Sequence, residues 1–433
     1  MIRPSSGSAG IAASVEQAIG DGRLEAGVHL PTIRELARSL DVSPATVAAA
    51  YRELGRRGLV TANRRRGTTV AAQPPLRIRR RRALPAGVRD LASGNPDPKC
   101  LPNLSALLPK VDARPVLYGE SAVLPSLARE AESLFAEDGI VGEIGVTSGA
   151  LDGIERALGA HLRPGDAVVV EDPVWPRITD LIAALGLRLE PVPLDQRGLA
   201  PAALAQALER GARAVIAVPR GQNPTGAALD EDRAAELRGV LAAHPDVLVV
   251  EDDYVAQVAG APYAPLHGST DRFTVIRSLS KVLGPDLRIA LIAGDTLTMR
   301  RIEGRQLLGP GWVSHLLQQL AARLLANAAT KRLLARTERV YAERRWALLD
   351  ALFDCGVEAY GESGLGVWVP LPEETPVVDH LLASGFAVGS GERFRIRSAP
   401  GIRVTTTTLE PADARLLAER IADVTSSSTT YAA

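Results

Sequence analysis

Five apolar, β-prone runs beyond residue 160 constrain the fold more than any other feature of this chain. They lie at 167–170, 214–218, 247–250, 273–276 and 289–293. Amphipathic helical patterns separate several of them, for example at 201–209 and 230–243. Buried apolar strands joined by helices predict an α/β fold with a mainly parallel sheet that is covered on both faces. In such sheets ligands bind beyond the carboxyl ends of the strands.

Polar and small residues follow these strands at the points where ligands are expected. Gly149 and Ala150 open a predicted helix, and backbone amides at a helix N-terminus form an anion site. Trp175 offers a flat ring for stacking, and Asn223 offers an amide donor for a phenolate oxygen. One of the three carboxylates at 251–253 is suited to pair with a protonated pyridine nitrogen.

One of the chain's four lysines, Lys281, lies in a polar stretch beyond the run at 273–276. A lysine amine forms a Schiff base with an aldehyde, which an arginine cannot do. Ser278, Ser280 and Arg288 flank it with two hydroxyls and a guanidinium fork, which suit a phosphate dianion. This combination indicates pyridoxal 5′-phosphate. Taken alone, the stretch fits a surface lysine in a polar turn equally well.

In this order along the chain, residues 91–425 resemble the fold type I aminotransferase superfamily. The resemblance implies a large domain with a mainly parallel sheet and a small α+β C-terminal domain from about residue 330. It implies that pyridoxal 5′-phosphate (PLP) is the cofactor and that Lys281 forms the Schiff base. Asp252 then faces the pyridine nitrogen, in preference to its neighbour Asp253.

The remaining site roles also come from this resemblance. Asn223 and Tyr254 would hold the phenolic oxygen, and Trp175 would stack on the ring. The predicted phosphate ligands are Gly149, Ala150, Ser278, Ser280, Arg288 and, from the neighbouring subunit, Tyr118. Arg403 corresponds to the arginine that binds a substrate α-carboxylate. The alternative for Arg403 is an arginine at a strand edge in an arginine-rich chain.

The N-terminal end is basic, although the formal net charge of the whole chain is zero. Residues 1–90 contain 16 Arg and Lys against 7 Asp and Glu. A basic end on an acidic body indicates contact with nucleic acid.

Residues 1–71 contain three helical patterns followed by two short β-prone runs. Thr32 and Glu35 predict a capping box for the second helix, and Ser43 with Pro44 predicts the start of the third. This order is typical of a winged helix-turn-helix, whose third helix enters the major groove. The predicted DNA contacts are Arg34, Ser43, Thr46, Arg64, Arg65, Arg66 and Gly67. A helical protein-interaction domain with a solvated arginine loop is the alternative.

The runs at 30–37, 42–47 and 50–54, with the glycine of the wing, resemble the GntR class of bacterial regulators. Residues 72–90 are rich in proline and arginine and predict a semi-extended linker. That linker is either a solvated spacer or an additional contact with DNA phosphates.

Together the two parts resemble the MocR-type regulators, in which a GntR-type head is joined to an aminotransferase-like body. The resemblance implies a homodimer with exchanged heads and a body that senses PLP or an amine-bearing effector without physiological turnover. Residues 93–98 resemble members tied to vitamin B6 metabolism, for which PLP itself would be the effector.

An active aminotransferase, or a PLP-dependent lyase or racemase, is the competing hypothesis. The chain has two cysteines, too few for a disulfide framework, and shows neither a long apolar run nor a signal pattern. We therefore expect a cytoplasmic protein with double-stranded DNA as its partner and no metal.

Overall fold

The computed structural model describes residues 7–20, 23–56, 59–63, 67–71 and 83–429. Its N-terminal domain contains α1 (Ser8–Gly20), α2 (Ile33–Leu40), α3 (Pro44–Arg56), β1 (Val60–Asn63) and β2 (Gly67–Val70). β1 and β2 form an antiparallel hairpin.

Local capping fixes the turn between α2 and α3. The predicted capping box is present, since Thr32 Oγ1 accepts from the amide of Glu35 and the Glu35 carboxylate accepts from the amide of Thr32. Asp41 ends α2 in the left-handed region at φ 51°. Ser43 Oγ then accepts from the amide of Thr46 at 3.1 Å and caps α3. The three helices and the hairpin enclose a small core that includes Val15, Val47, Leu54 and Val70, as the winged helix-turn-helix prediction requires.

The remaining strands and helices belong to the larger part of the chain. The strands are β3 (Arg89–Leu91), β4 (Glu143–Thr147), β5 (Ala167–Asp172), β6 (Arg188–Asp195), β7 (Gly198–Leu199), β8 (Ala212–Ala217), β9 (Leu248–Asp253), β10 (Arg272–Ser278), β11 (Ala290–Gly294), β12 (Gly366–Pro370), β13 (Phe386–Ser390) and β14 (Gly401–Thr405). The helices are α4 (Pro125–Glu137), α5 (Ala150–His161), α6 (Pro176–Ala184), α7 (Pro201–Glu209), α8 (Glu231–Ala242), α9 (Thr296–Leu307), α10 (His315–Ala326), α11 (Ala328–Asp354), α12 (Thr375–Ala383) and α13 (Pro411–Thr429).

An eight-stranded sheet is the centre of the large domain, with the order β4-β11-β10-β9-β8-β5-β6-β7. β8, β9 and β10 run parallel to one another. β11 runs antiparallel to both of its neighbours, β10 and β4. The five predicted strands are all present. The chain reverses between β10 and β11, and the turn that reverses it contains Lys281.

A four-stranded sheet with the order β12-β14-β13-β3 forms the small C-terminal domain, together with α12, α13 and the end of α11. Its core includes Leu348, Val367, Leu381 and Leu417, which are all buried. The last helix, α13, continues through the Ser/Thr-rich segment to Thr429. No helix in the described part of the chain has the length and apolarity that crossing a bilayer requires.

Candidate cofactor site

Lys281 lies in the turn that follows β10, and its side chain is half-buried. Its Nζ donates a hydrogen bond to the carbonyl oxygen of Gly94. Burial, and then the positive charge of Arg403, lower the pKa of Lys281 to about 8. The hydrogen bond and the partial burial favour a site residue over a fully solvated lysine, and the Schiff-base role of Lys281 stays a prediction. With this pKa about one tenth of the amine is neutral, and therefore nucleophilic, at pH 7, a far larger share than for an ordinary lysine.

Three consecutive carboxylates end β9, and each has a different environment. Glu251 accepts hydrogen bonds from Tyr263 Oη and from the amide of Leu266, at 2.9 and 3.0 Å. Asp252 is buried, and among the described residues its Oδ1 has no hydrogen-bond partner. Burial, and then the charge of Asp253, raise the pKa of Asp252 to about 7. A buried acceptor of this kind needs a donor, and a pyridinium N–H would supply one.

Asp253 is fully buried on the opposite face of the strand and is engaged by two arginines. Arg220 Nε and Nη2 donate to its two oxygens at 2.9 Å each, and Arg277 Nε donates at 2.8 Å. Although burial alone would raise the pKa of Asp253, the charges and hydrogen bonds of Arg220 and then Arg277 hold it below its ordinary value. These contacts support the choice of Asp252 over Asp253 as the partner of a pyridine nitrogen.

Arg403 lies on β14, which pairs with both β12 and β13, so this arginine is in the middle of the small sheet. The strand-edge alternative is therefore wrong. Its Nη1 donates to Asn223 Oδ1 at 2.8 Å, its Nη2 donates to the carbonyl oxygen of Ala92, and its guanidinium lies 4.8 Å from the centre of the Phe394 ring. The loop beyond β8 thus meets the small domain at Asn223. Tyr254 Oη donates to the carbonyl oxygen of Gly221 in that same loop, at 2.7 Å.

The predicted anion site lies at the N-terminus of α5. Gly149 has φ +98°, and a Cβ at this position would lie 2.6 Å from Arg288 Nη2. Arg288 Nη2 also donates to the carbonyl oxygen of Ser148 at 3.3 Å. Glycine therefore allows the guanidinium to lie against the first turn of α5, which begins at Ala150. Two positive contributions, the arginine and the helix N-terminus, converge here.

The two serines lie on the approach to Lys281. Ser278 is buried at the end of β10, and its Oγ accepts from the amide of Ser280 at 3.2 Å. Trp175 is half-buried directly before α6.

Tyr118 is 93% exposed, and its ring makes an edge-to-face contact with Trp312 at 5.6 Å. Within a single chain, Tyr118 therefore lies at the surface.

The predicted DNA contacts lie around α2, α3 and the hairpin. Arg34 and Ser43 are exposed, and Ser43 Oγ lies 2.8 Å from Thr46 Oγ1. Gly67 opens β2 at φ +78°. Residues 64–66, the three wing arginines, lie outside the described residues.

Comparisons with known proteins follow this two-part organisation. Residues 8–70 match the bacterial regulatory proteins of the gntR family, and residues 87–421 match aminotransferase class I and II. The Salmonella typhimurium vitamin B6 salvage pathway transcriptional repressor PtsJ is 41% identical over 94% of this chain and 96% of its own. The Corynebacterium glutamicum pyridoxine biosynthesis transcriptional regulator PdxR is 30% identical over 78% of this chain and 77% of its own.

The chain belongs to the MocR-type transcription regulators. The crystal structure of Pyrococcus horikoshii kynurenine aminotransferase, in complex with PMP, covers 79% of this MocR-type chain and 92% of its own, at 26% identity and a TM-score of 0.71. That likeness supports the prediction of a fold type I aminotransferase body.

The cofactor of this MocR-type regulator is pyridoxal 5′-phosphate. Asp252 offers a buried acceptor that fits its pyridine nitrogen, and Lys281 offers a partly neutral amine that fits its aldehyde. Gly149 fits its phosphate. When bound, the group supplies an aldehyde for amines and an electron-withdrawing ring. The roles of the individual residues stay predictions.

Several hydrogen bonds around the candidate site of this MocR-type regulator were not predicted from the sequence. Asp172 accepts hydrogen bonds from the amides of Ile396, Arg397 and Ser398, at 2.7 to 3.0 Å, and so ties a loop of the small domain to the end of β5. The hydrogen bonds of Lys281 with Gly94 and of Arg403 with Ala92 were not predicted either. Both acceptors are backbone carbonyls, which every residue has, so no sequence pattern could have predicted these two hydrogen bonds.

Proposed function

We propose that this chain is a PLP-sensing regulator that controls genes of vitamin B6 metabolism. The observation that carries the proposal is the presence of a PLP-binding body and a GntR-type head in one chain. A relative named as a vitamin B6 salvage repressor shares 41% of its residues with this chain across both parts. PLP is then the effector, and its binding changes the affinity of the heads for DNA. Such a change requires that PLP favour one arrangement of the protein over another.

The proposed domain boundaries are those predicted from the sequence. Residues 1–71 form the DNA-binding domain, 72–90 the linker and 91–425 the PLP-binding body, with its small domain from about 330. The end of the linker already belongs to β3, which joins the sheet of that small domain. We place the protein in the cytoplasm, where both PLP and the chromosome are found.

Each site residue has a proposed role. Lys281 binds the aldehyde, Asp252 accepts from the pyridine nitrogen, Trp175 stacks on the ring, and Asn223 and Tyr254 contact the phenolic oxygen. Gly149, Ala150, Ser278, Ser280 and Arg288 bind the phosphate. Arg403 binds the carboxylate of an amino-acid ligand. The DNA contacts are Arg34, Ser43, Thr46, Arg64, Arg65, Arg66 and Gly67.

A homodimer is the proposed assembly, and exposed apolar residues on the segments before α4 and α10 support it. Leu117, Tyr118 and Leu308 are 71%, 93% and 90% exposed. The two segments lie together, since His315 Nε2 is 2.9 Å from the carbonyl oxygen of Ser121. Several large apolar side chains on one surface are typical of a protein interface. The exchange of DNA-binding heads between protomers stays a prediction.

An active aminotransferase is the second candidate function. Arg403 favours it, because a guanidinium beside the PLP site is suited to an amino-acid carboxylate. The two candidates differ in turnover. A catalyst mixed with an amino acid and a keto acid would form many products per site, whereas a sensor would stop after at most one conversion.

The decisive experiment measures binding of the full-length protein to DNA from upstream of its own gene, with and without PLP. We expect the affinity to change by at least about fivefold on PLP addition, which is the lower end of typical coupling energies. The Lys281→Ala variant should bind DNA without this response. An unchanged affinity in wild type would overturn the proposal, and multiple turnovers without any PLP effect on DNA would favour the enzyme.

A further inference from the structure

Four charged side chains from four different segments form a cluster beneath the candidate cofactor site, in which three members are buried and Asp138 is partly exposed. They are Asp138 after α4, Arg220 after β8, Asp253 on β9 and Arg277 on β10. Arg277 Nη2 donates to Asp138 Oδ2 at 2.6 Å, and Arg220 Nη2 donates to the same oxygen at 3.1 Å. With the three bonds to Asp253, each arginine therefore contacts both aspartates.

The interior of the large domain encloses this cluster. Asp253, Arg277 and Arg220 are 0%, 1% and 7% exposed. The Tyr263 ring lies 5.2 Å from the Arg220 guanidinium and 5.9 Å from that of Arg277. Arg277 Nη1 also donates to the carbonyl oxygen of Leu134, at 2.7 Å, and so reaches the last turns of α4. Two positive and two negative charges balance, as burial of ionised groups requires.

Each strand-end member of the cluster is adjacent in sequence to a residue of the cofactor site. Asp253 lies between Asp252 and Tyr254, and Arg277 precedes Ser278. Asp253 and Arg277 are paired directly across β9 and β10, so their side chains share one face of the sheet. Because side chains alternate along a strand, their site-facing neighbours point to the other face.

Arg220 extends the same relationship to the loop beyond β8. It directly precedes Gly221, whose carbonyl accepts from Tyr254 Oη, and Asn223 lies two residues further on. The hydrogen bonds of Arg220 to Asp253 thus join this loop to β9 from behind, while the Tyr254 bond joins them on the site side.

We propose that Asp138, Arg220, Asp253 and Arg277 are positioning residues for the cofactor. They hold the end of α4, the loop beyond β8 and the ends of β9 and β10 in one arrangement. That arrangement sets the relative positions of Asn223, Asp252 and Ser278. This inference rests on the proposed binding of PLP and adds four residues to the site that do not touch the cofactor.

Forked, charge-assisted hydrogen bonds suit this task. Arginine presents its donors in a fixed plane, so two-point hydrogen bonding defines direction as well as distance. A lysine in place of Arg277 keeps the charge and loses the fork. Small displacements of positioned groups have large effects on reaction rates, up to about 100-fold for a shift of 1 Å. We therefore expect Arg277→Lys to impair PLP binding, although it preserves the charge of the cluster and hence the stability of the fold.

The test uses the full-length protein with two variants and a matched control. Arg277→Lys keeps the charge, and the double variant Arg277→Met with Asp138→Asn removes one positive and one negative charge together. The control is Arg197→Lys, because Arg197 forms a similar two-point pair with Asp230, at 2.5 and 2.7 Å, on the protein surface. The measurements are thermal unfolding, PLP affinity, and the visible circular dichroism of bound PLP, which reports on the orientation in which the protein holds it.

We expect both cluster variants to fold, to bind PLP at least about tenfold more weakly and to lose much of the visible dichroism per bound PLP. Arg197→Lys should match wild type in all three. Cluster variants with wild-type affinity and dichroism would overturn the positioning role, and so would a failure of both to fold, since the cluster would then serve stability. If wild type itself takes up no PLP, the proposed function fails and this inference fails with it.

Discussion

Asp252 and Asp253 are neighbours on β9, yet they have opposite environments. Asp253 accepts three hydrogen bonds from Arg220 and Arg277. Among the described residues Asp252 Oδ1 has no partner, although the residue is only 5% exposed. The period of two along a strand separates the two carboxylates onto different faces. One carboxylate is committed to the protein, and the other is left to accept from a ligand.

Replacement of Asp252 by asparagine should therefore weaken PLP binding without a loss of stability. The amide cannot stabilise a pyridinium by charge, so we expect an affinity at least about tenfold lower, which corresponds to about 1.4 kcal/mol. Stability of the PLP-free protein should be kept or raised above pH 7, because the ionised form of Asp252 is disfavoured by burial. PLP titration and thermal unfolding check both parts. Asp246→Asn, on an exposed carboxylate, is the control, and equal PLP affinities for the two variants would contradict the assignment.

The pKa of Lys281 predicts how the rate of PLP uptake depends on pH. Because the neutral amine attacks the aldehyde, uptake should accelerate as the pH rises and should level off above about pH 8. An ordinary lysine, with a pKa of 10.5, would continue to accelerate for about two further pH units. Stopped-flow absorbance from about pH 6 to about pH 10 measures the profile.

Arg403→Met provides the matched variant for this profile. It removes the positive charge that contributes to the lowered pKa of Lys281, so the plateau should move to higher pH. Lys281→Ala should show no Schiff-base absorbance at all. A retained band at the same wavelength in Lys281→Ala would show that another group binds the aldehyde.

Local features of the fold could be predicted from the sequence, whereas contacts between distant segments could not. The Thr32–Glu35 capping box depends on residues three positions apart, and it is present as predicted. The apolar run of β11 predicts a buried strand, but such a run has the same composition in either direction. Its antiparallel orientation therefore required the structure.

The site shows the same division. Lys281 and a carboxylate at 251–253 could be predicted because chemistry restricts which residue types serve an aldehyde and a pyridine nitrogen, and their roles stay predictions. The link between Arg277 and Asp138 joins positions 139 residues apart. In a chain with 46 arginines, no pattern distinguishes these buried arginines from solvated ones.

The wing arginines should contribute to DNA affinity and not to PLP uptake. Replacing Arg64, Arg65 and Arg66 with alanine removes three positive charges, each of which can pair with a DNA phosphate. The slope of log affinity against log salt should then become shallower by up to about 0.9 for each phosphate that is no longer neutralised. DNA titrations at several salt concentrations measure the slope, and PLP absorbance is the internal control. A triple variant with normal DNA binding and impaired PLP uptake would show that the wing has been misassigned.

Tyr118 provides a test of the dimer and of its active-site geometry together. Its side chain is 93% exposed within one chain, so Tyr118→Ala should leave the stability of the protomer nearly unchanged. If Tyr118 contacts the phosphate bound by the other protomer, the variant should still bind PLP more weakly. Tyr118→Phe should show a similar loss, since it keeps the ring and removes only the hydroxyl donor.

A mixture of Tyr118→Ala and Lys281→Ala protomers separates contact across the dimer from contact within one chain. In a mixed dimer, the site of the Tyr118→Ala protomer has its own lysine and receives an intact tyrosine from the partner subunit. Random re-association of equal amounts should therefore restore tight PLP binding at about a quarter of all sites. If Tyr118 serves its own chain, neither site of the mixed dimer is complete and no tight binding returns. Absorbance titration after mixing, with each variant alone as the control, decides between the two arrangements.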